Sequence, residues 1–121
     1  MRLCVSGTCS QGKSTFIEDF IKEWPKYTTP DYTYRDFVGD NHSIKANKDI
    51  QWKILNCMID ELTKHPKEES HVIYDRGPID NIVYSIWAES KGTGGIDSEY
   101  IKKCLPLLKE TCKFLDIILF I

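Results

Sequence analysis

One stretch near the N-terminus limits what this chain can fold into more than any other: Gly7-Thr8-Cys9-Ser10-Gln11-Gly12-Lys13-Ser14-Thr15. It follows the apolar run Arg2–Ser6 and leads into a segment patterned as an amphipathic helix. The spacing G-x-x-x-x-G-K-S between a strand and a helix is that of a phosphate-binding loop. Gly7 and Gly12 allow backbone conformations that a Cβ would forbid. The loop's N–H groups, from Thr8, Cys9, Ser10 and Gln11 among others, then wrap an anion, and the next helix presents its positive end. In this reading Lys13 reaches the β- and γ-phosphates of a nucleotide, Ser14 gives a hydroxyl to Mg²⁺, and Thr15 anchors the α-phosphate side. The bland alternative is a chance glycine-rich turn; the strand before and the helix after favour the phosphate site. Cys9 reads most simply as a tolerated small side chain.

The rest of the chain alternates strand and helix patterns. Phe16, Ile17, Phe20, Ile21 and Trp24 form one stripe of a helix from Lys13 to about Trp24, which Pro25 stops. A short strand is expected around Tyr32 to Phe37, then a polar loop from Asn41 to Asn47 and a second helix from Asp49 to about Lys64. A charged connection precedes a strand from His71 to Tyr74. Helices are expected from Asp80 to about Lys91 and from Ser98 to about Phe114, separated by the glycine break Gly92 to Gly95, with Pro106 as a kink. Asp116 to Ile121 reads as a buried parallel strand. The expected fold class is α/β: a three-layer α/β/α P-loop NTPase fold with a parallel sheet, in a single domain over residues 1–121. Domains rarely stop at a central strand, so the reading expects these residues to be the N-terminal part of a longer domain, with its lid and last strand beyond them.

Composition narrows the partners. The 121 residues are 41% hydrophobic with a formal net charge of -2, which suits a globular domain and argues against a nucleic-acid polymer as ligand. Five cysteines, an odd number with no C-x-x-C pair, point to a reduced, cytoplasmic setting rather than to disulfides or a zinc site. No apolar run approaches the roughly 20 residues of a membrane span. His42, His65 and His71 show no metal spacing. Trp24, Trp52 and Trp87 read as core or partial-core packing, and Tyr27, Tyr32 and Tyr34 crowd the expected substrate loop.

A second cluster carries chemistry: Asp75-Arg76-Gly77-Pro78-Ile79-Asp80, at the end of an apolar strand. In an open parallel sheet, strand ends at the carboxyl edge are where ligands bind. Asp75 there can hold Mg²⁺ or take a proton from an attacking hydroxyl, and Arg76 can neutralise phosphate oxygens. Asp80 reads first as a helix cap and only second as a substrate contact.

Together, GTCSQGKST and VIYDRGPID resemble the P-loop nucleoside and nucleotide kinases. The Asp-Arg-Gly-Pro form is most similar to nicotinamide-riboside-kinase-like ATPase/kinase domains, with thymidylate and deoxynucleoside kinases as relatives. The resemblance implies ATP- and Mg²⁺-dependent transfer of a phosphoryl group to a nucleoside or nucleotide. It gives Asp75 the role of base or Mg²⁺ partner, and Arg76 a contact to substrate or phosphate. It places Arg35 and Asp36 of Tyr34-Arg35-Asp36-Phe37, with Gln51, on the substrate side. The implied partners are a nucleotide donor, a small-molecule acceptor and, as an open question, a second copy of the chain. Such kinases continue into an arginine-bearing lid that this sequence does not contain. A P-loop ATPase or nucleotide-binding switch without a small-molecule acceptor stays open, as does a non-catalytic nucleotide-binding remnant.

Overall fold

The computed structural model describes residues 1–8, 11–30, 47–64 and 71–121. Its strands are β1 (Arg2–Ser6), β2 (Val72–Asp75) and β3 (Ile117–Phe120), and its helices α1 (Lys13–Glu23), α2 (Lys48–Thr63), α3 (Pro78–Ser90) and α4 (Ser98–Thr111). The three strands form one all-parallel sheet in the order β2-β1-β3. Leu3 lies opposite Ile73 on one side and Ile117 on the other. After α1 the chain returns beside β2, where Thr28 forms a parallel bridge to Val72. The fold is therefore α/β.

Alternation along β1 decides which helices cover which face. Leu3 and Val5, with Ile73, meet Ile17 of α1 and Tyr27, flanked by Phe20 and Ile21. Cys4 and Tyr74 face the other way, onto Leu62 of α2. A second layer of packing joins α2, α3 and α4 through Leu55, Ile82, Ala88, Ile96, Tyr100 and Cys104. Each large apolar side chain so buried contributes about 1.5–3 kcal/mol.

The helix ends follow local chemistry. Asn47 and Asp97 cap α2 and α4, accepting from the N–H groups of Ile50 and Tyr100 at 2.9 Å each. Gly92, at φ 66, terminates α3 in the left-handed conformation that favours glycine. Arg2 is buried although charged. Its guanidinium donates to the Leu62 carbonyl near the C-terminal end of α2, where helix carbonyls lack partners and the dipole is negative. Its main-chain N–H donates to Asp116 at 2.8 Å, so one residue ties α2 and the entry to β3 to the sheet.

Several expectations are corrected. Helix α3 begins at Pro78, two residues before the expected Asp80, because Pro78 suits the first helical position and Gly77 is the cap. Helix α4, with Pro106 inside it, ends at Thr111 and gives way to a 3-10 turn at Cys112–Phe114, short of the single helix expected to about Phe114. Among the described residues strand β3 pairs only with β1, and its side chains are half-buried or exposed rather than buried, Phe120 at 72%. Tyr27 belongs to the core beneath α1 and not to a substrate loop. Trp24 and Trp87 are half exposed, at most partly packed, whereas Trp52 packs against the α2–α4 cluster. For Trp87 the reason is visible in α3. Its buried face is Pro78, Asn81, Ile82, Ser85 and Ala88, which turns Val83, Tyr84, Ile86 and Trp87 outward. The expected strand at 32–37 lies outside the described residues. Among the described residues no helix is long and apolar enough to cross a membrane.

Candidate functional site

The chain leaves β1, forms β2 on one side, and returns to form β3 on the other. Such a reversal opens a crevice at the carboxyl ends of the strands, where open α/β sheets bind ligands. The register sets Asp75 opposite Val5, and Phe120 opposite Ser6. Gly7, Arg76 and Ile121 therefore follow side by side at one edge.

The glycine-lysine loop starts there. Gly7 has φ 145, and a Cβ on it would sit 2.2 Å from the Ile121 carbonyl oxygen, so only glycine fits against the end of β3. Gly12, at φ 90, is the N-cap of α1. Among the described residues no side chain caps this helix, and no acidic residue stands in its first turn, so the N–H groups there and the positive dipole end suit an anion. Lys13 is buried, 6% exposed, and its Nζ donates back to the Thr8 carbonyl of the same loop. Gln11, Ser14 and Thr15 are exposed beside it. Cys9 and Ser10 lie outside the described residues.

The second cluster meets the loop. Asp75, the last residue of β2, is exposed. Arg76 is the one described non-glycine residue with positive φ, at 70. That conformation costs a non-glycine residue roughly 1–2 kcal/mol and persists where neighbours determine it. Here the Arg76 N–H donates to the Val5 carbonyl at 2.9 Å. Gly77 follows in extended backbone, and a Cβ on it would lie 2.9 Å from Cys4 Sγ. Burial pushes the Cys4 thiol up to about 12, so it stays protonated beneath the turn. A crevice under the turn, between Met58, Leu62, Tyr74 and Leu115, measures about 10 Å³. That is room for about one water and not for a nucleotide.

Asp80 joins the two clusters. One carboxylate oxygen accepts from Ser6 Oγ and from the Gly77 N–H, both at 2.9 Å. The other accepts from the Gly7 N–H at 3.2 Å. The capping role expected for Asp80 is present, and it extends to the start of the loop.

Gln51, read as a substrate-side residue, is turned inward. Asn81 donates through Nδ2 to the Gln51 carbonyl at 3.3 Å and to Gln51 Oε1 at 3.0 Å. The Lys103 ammonium stands over the Trp52 ring, 3.8 Å from its centroid. Arg35 and Asp36 lie outside the described residues. Among the described residues no group of three or more His, Cys, Asp or Glu gathers to hold a metal ion. The Ser14 hydroxyl and the Asp75 carboxylate are exposed oxygen donors among the described residues of the two clusters. Comparison with protein-family models, curated proteins and solved structures gives no match.

Proposed function

We propose that this chain is a P-loop kinase-type domain that transfers the γ-phosphoryl group of ATP, with Mg²⁺, to a nucleoside or nucleotide. One observation carries the reading: a lysine-bearing glycine loop and an arginine held at positive φ occupy the same carboxyl edge, joined through Asp80. Each part suits phosphoryl transfer, where catalysis is mostly positioning and charge stabilisation. The first-turn N–H groups of α1 and Lys13 bind the donor phosphates, with Lys13 exchanging its Thr8 carbonyl for phosphate oxygens. Ser14 and Asp75 hold Mg²⁺, a hard cation that takes one or two protein oxygens alongside phosphates and water. When bound, the ion neutralises phosphate charge. If Ser14 holds the ion without it, Asp75, exposed at the strand end, is instead the base that takes the proton of the attacking hydroxyl. Arg76 meets the charge that builds on the transferred group.

The exposure of Asp75 favours a second reading in which water is the acceptor and the domain is an ATPase or nucleotide switch. Turnover of ATP with Mg²⁺ against a panel of nucleosides, nucleoside monophosphates and nicotinamide riboside separates the two. Phosphate transfer to one acceptor supports the kinase. Phosphate release independent of any acceptor replaces it with the ATPase. If ATP neither binds nor turns over, both readings fail.

A further inference from the structure

We infer that Asp80 is a positioning residue that locks the donor-phosphate loop to the arginine turn, so that the two halves of the site are set by one carboxylate. The inference rests on the phosphoryl-transfer reading for its functional consequence, but its structural core stands on geometry alone. A helix cap needs only the Gly77 N–H, three residues earlier. Asp80 also accepts from Ser6 Oγ and Gly7 N–H, more than 70 residues away in sequence, and neither contributes to α3. Three donors converge on its two oxygens from both clusters.

The consequence follows from what those donors carry. Gly7 is the first residue of the loop, and its N–H orientation sets the path toward Thr8, whose carbonyl receives Lys13. Gly77 is the residue after Arg76, and its N–H fixes the peptide that leaves Arg76 at φ 70. Hydrogen bonds to an ionised carboxylate are among the stronger ones in proteins. Losing the carboxylate therefore releases the loop and the arginine turn together. Misplacement of about 1 Å at such a site costs roughly 10²-fold in rate.

The test uses Asp80→Ala in the full chain, with Ser6→Ala as a milder variant that keeps the helix cap. Amide hydrogen exchange at Gly7 and Gly77 is read by NMR without nucleotide, and Mg·ATP affinity by calorimetry. In Asp80→Ala both amides are expected to exchange about tenfold faster or more, and Mg·ATP affinity to fall about tenfold, as for loss of a charged hydrogen-bond partner. In turnover the cost should be about 10²-fold in the wild-type background. It should shrink several-fold in an Arg76→Ala background, because Asp80 acts partly through Arg76. Faster exchange at Gly77 alone would reduce Asp80 to a helix cap and overturn the inference. So would an unchanged ATP affinity, or equal costs in the two backgrounds. If Asp80→Ala does not fold, Ser6→Ala decides: faster exchange at Gly7 supports the lock, and no change overturns it. If the wild type binds no Mg·ATP, the functional reading falls, while the exchange pattern still decides whether the lock exists.

Discussion

Replacing Gly77 with alanine should destabilise the protein for a reason that a second substitution removes. The backbone at Gly77, φ -152 and ψ -170, is ordinary extended chain, so alanine meets no conformational strain there. The obstacle is Cys4, whose Sγ would lie 2.9 Å from the new Cβ. Ordinary contacts between such atoms lie near 3.5–4 Å, so one side must move by more than about half an ångström. Cys4 is fully buried in the central strand and lines the crevice of about 10 Å³ under the turn, so its sulfur can shift only at the expense of its present contacts. Overpacking of this kind costs about 1–3 kcal/mol. Cys4→Ala alone should cost about 1 kcal/mol for the lost sulfur contacts. In the double variant the clash is gone, so the two costs should fall short of additive by about 1–2 kcal/mol. Urea unfolding of the four proteins, followed by tryptophan fluorescence and circular dichroism, measures the cycle. Additivity within about 0.5 kcal/mol would show that Gly77 is not held against Cys4, and the account of the arginine turn would lose its floor.

Gly7→Ala should cost at least about 2 kcal/mol, combining strain at φ 145 with the Ile121 carbonyl 2.2 Å away. Gly12→Ala, at φ 90 in open space, should cost about 1–2 kcal/mol from strain alone, and chemical denaturation should rank the two in that order. Arg76→Gly should leave stability within about 1 kcal/mol, because glycine is at ease at φ 70, yet lower turnover by about 10²-fold or more. A large loss of stability with turnover intact would reverse the roles assigned to this residue. Alkaline conditions should weaken the fold. Cys4 is raised by burial from 9.0 to about 12, and Tyr74 and Cys104 are raised by the same cause. A raised acid holds its proton more tightly when folded. Stability is therefore present below about pH 9 and lost as pH climbs toward 12, at about 1.4 kcal/mol per pH unit for Cys4. Cys4→Ala should flatten that slope, as pH-dependent urea midpoints would show.

Much of the fold was legible because its signals are local. Strand β1 matched its apolar run from Arg2 to Ser6, and α1 ended at Glu23, just before the expected stop at Pro25. The edge position of Asp75 and Arg76 followed from one strand ending in an acid. Other features are set by contacts that no short window contains. The link from Asp80 to Ser6 and Gly7 joins opposite ends of the sequence. The orientation of α3 defied its composition, because Asn81 and Ser85 face inward and Ser85 satisfies its hydroxyl on the Asn81 carbonyl at 3.0 Å. Periodicity alone would have buried Val83 and Trp87 instead. The positive φ of Arg76 was equally hidden, since arginine carries no turn signal. Tyr27 was drawn toward the substrate loop by its neighbours in sequence and is held in the core by Phe20 and His71, with ring centroids at 5.1 and 5.3 Å.

The central claim is that the Lys13 loop binds the phosphates of a nucleotide, and titration of Mg·ATP into the wild type and Lys13→Ala tests it most directly. Lys13 supplies a charged donor already folded onto the loop, and losing such a partner costs about 1.5–3 kcal/mol. The account predicts saturable binding to the wild type and about 10- to 100-fold weaker binding to Lys13→Ala, with both proteins equally folded. Equal affinity in the two proteins, or no binding to a folded wild type, would contradict it.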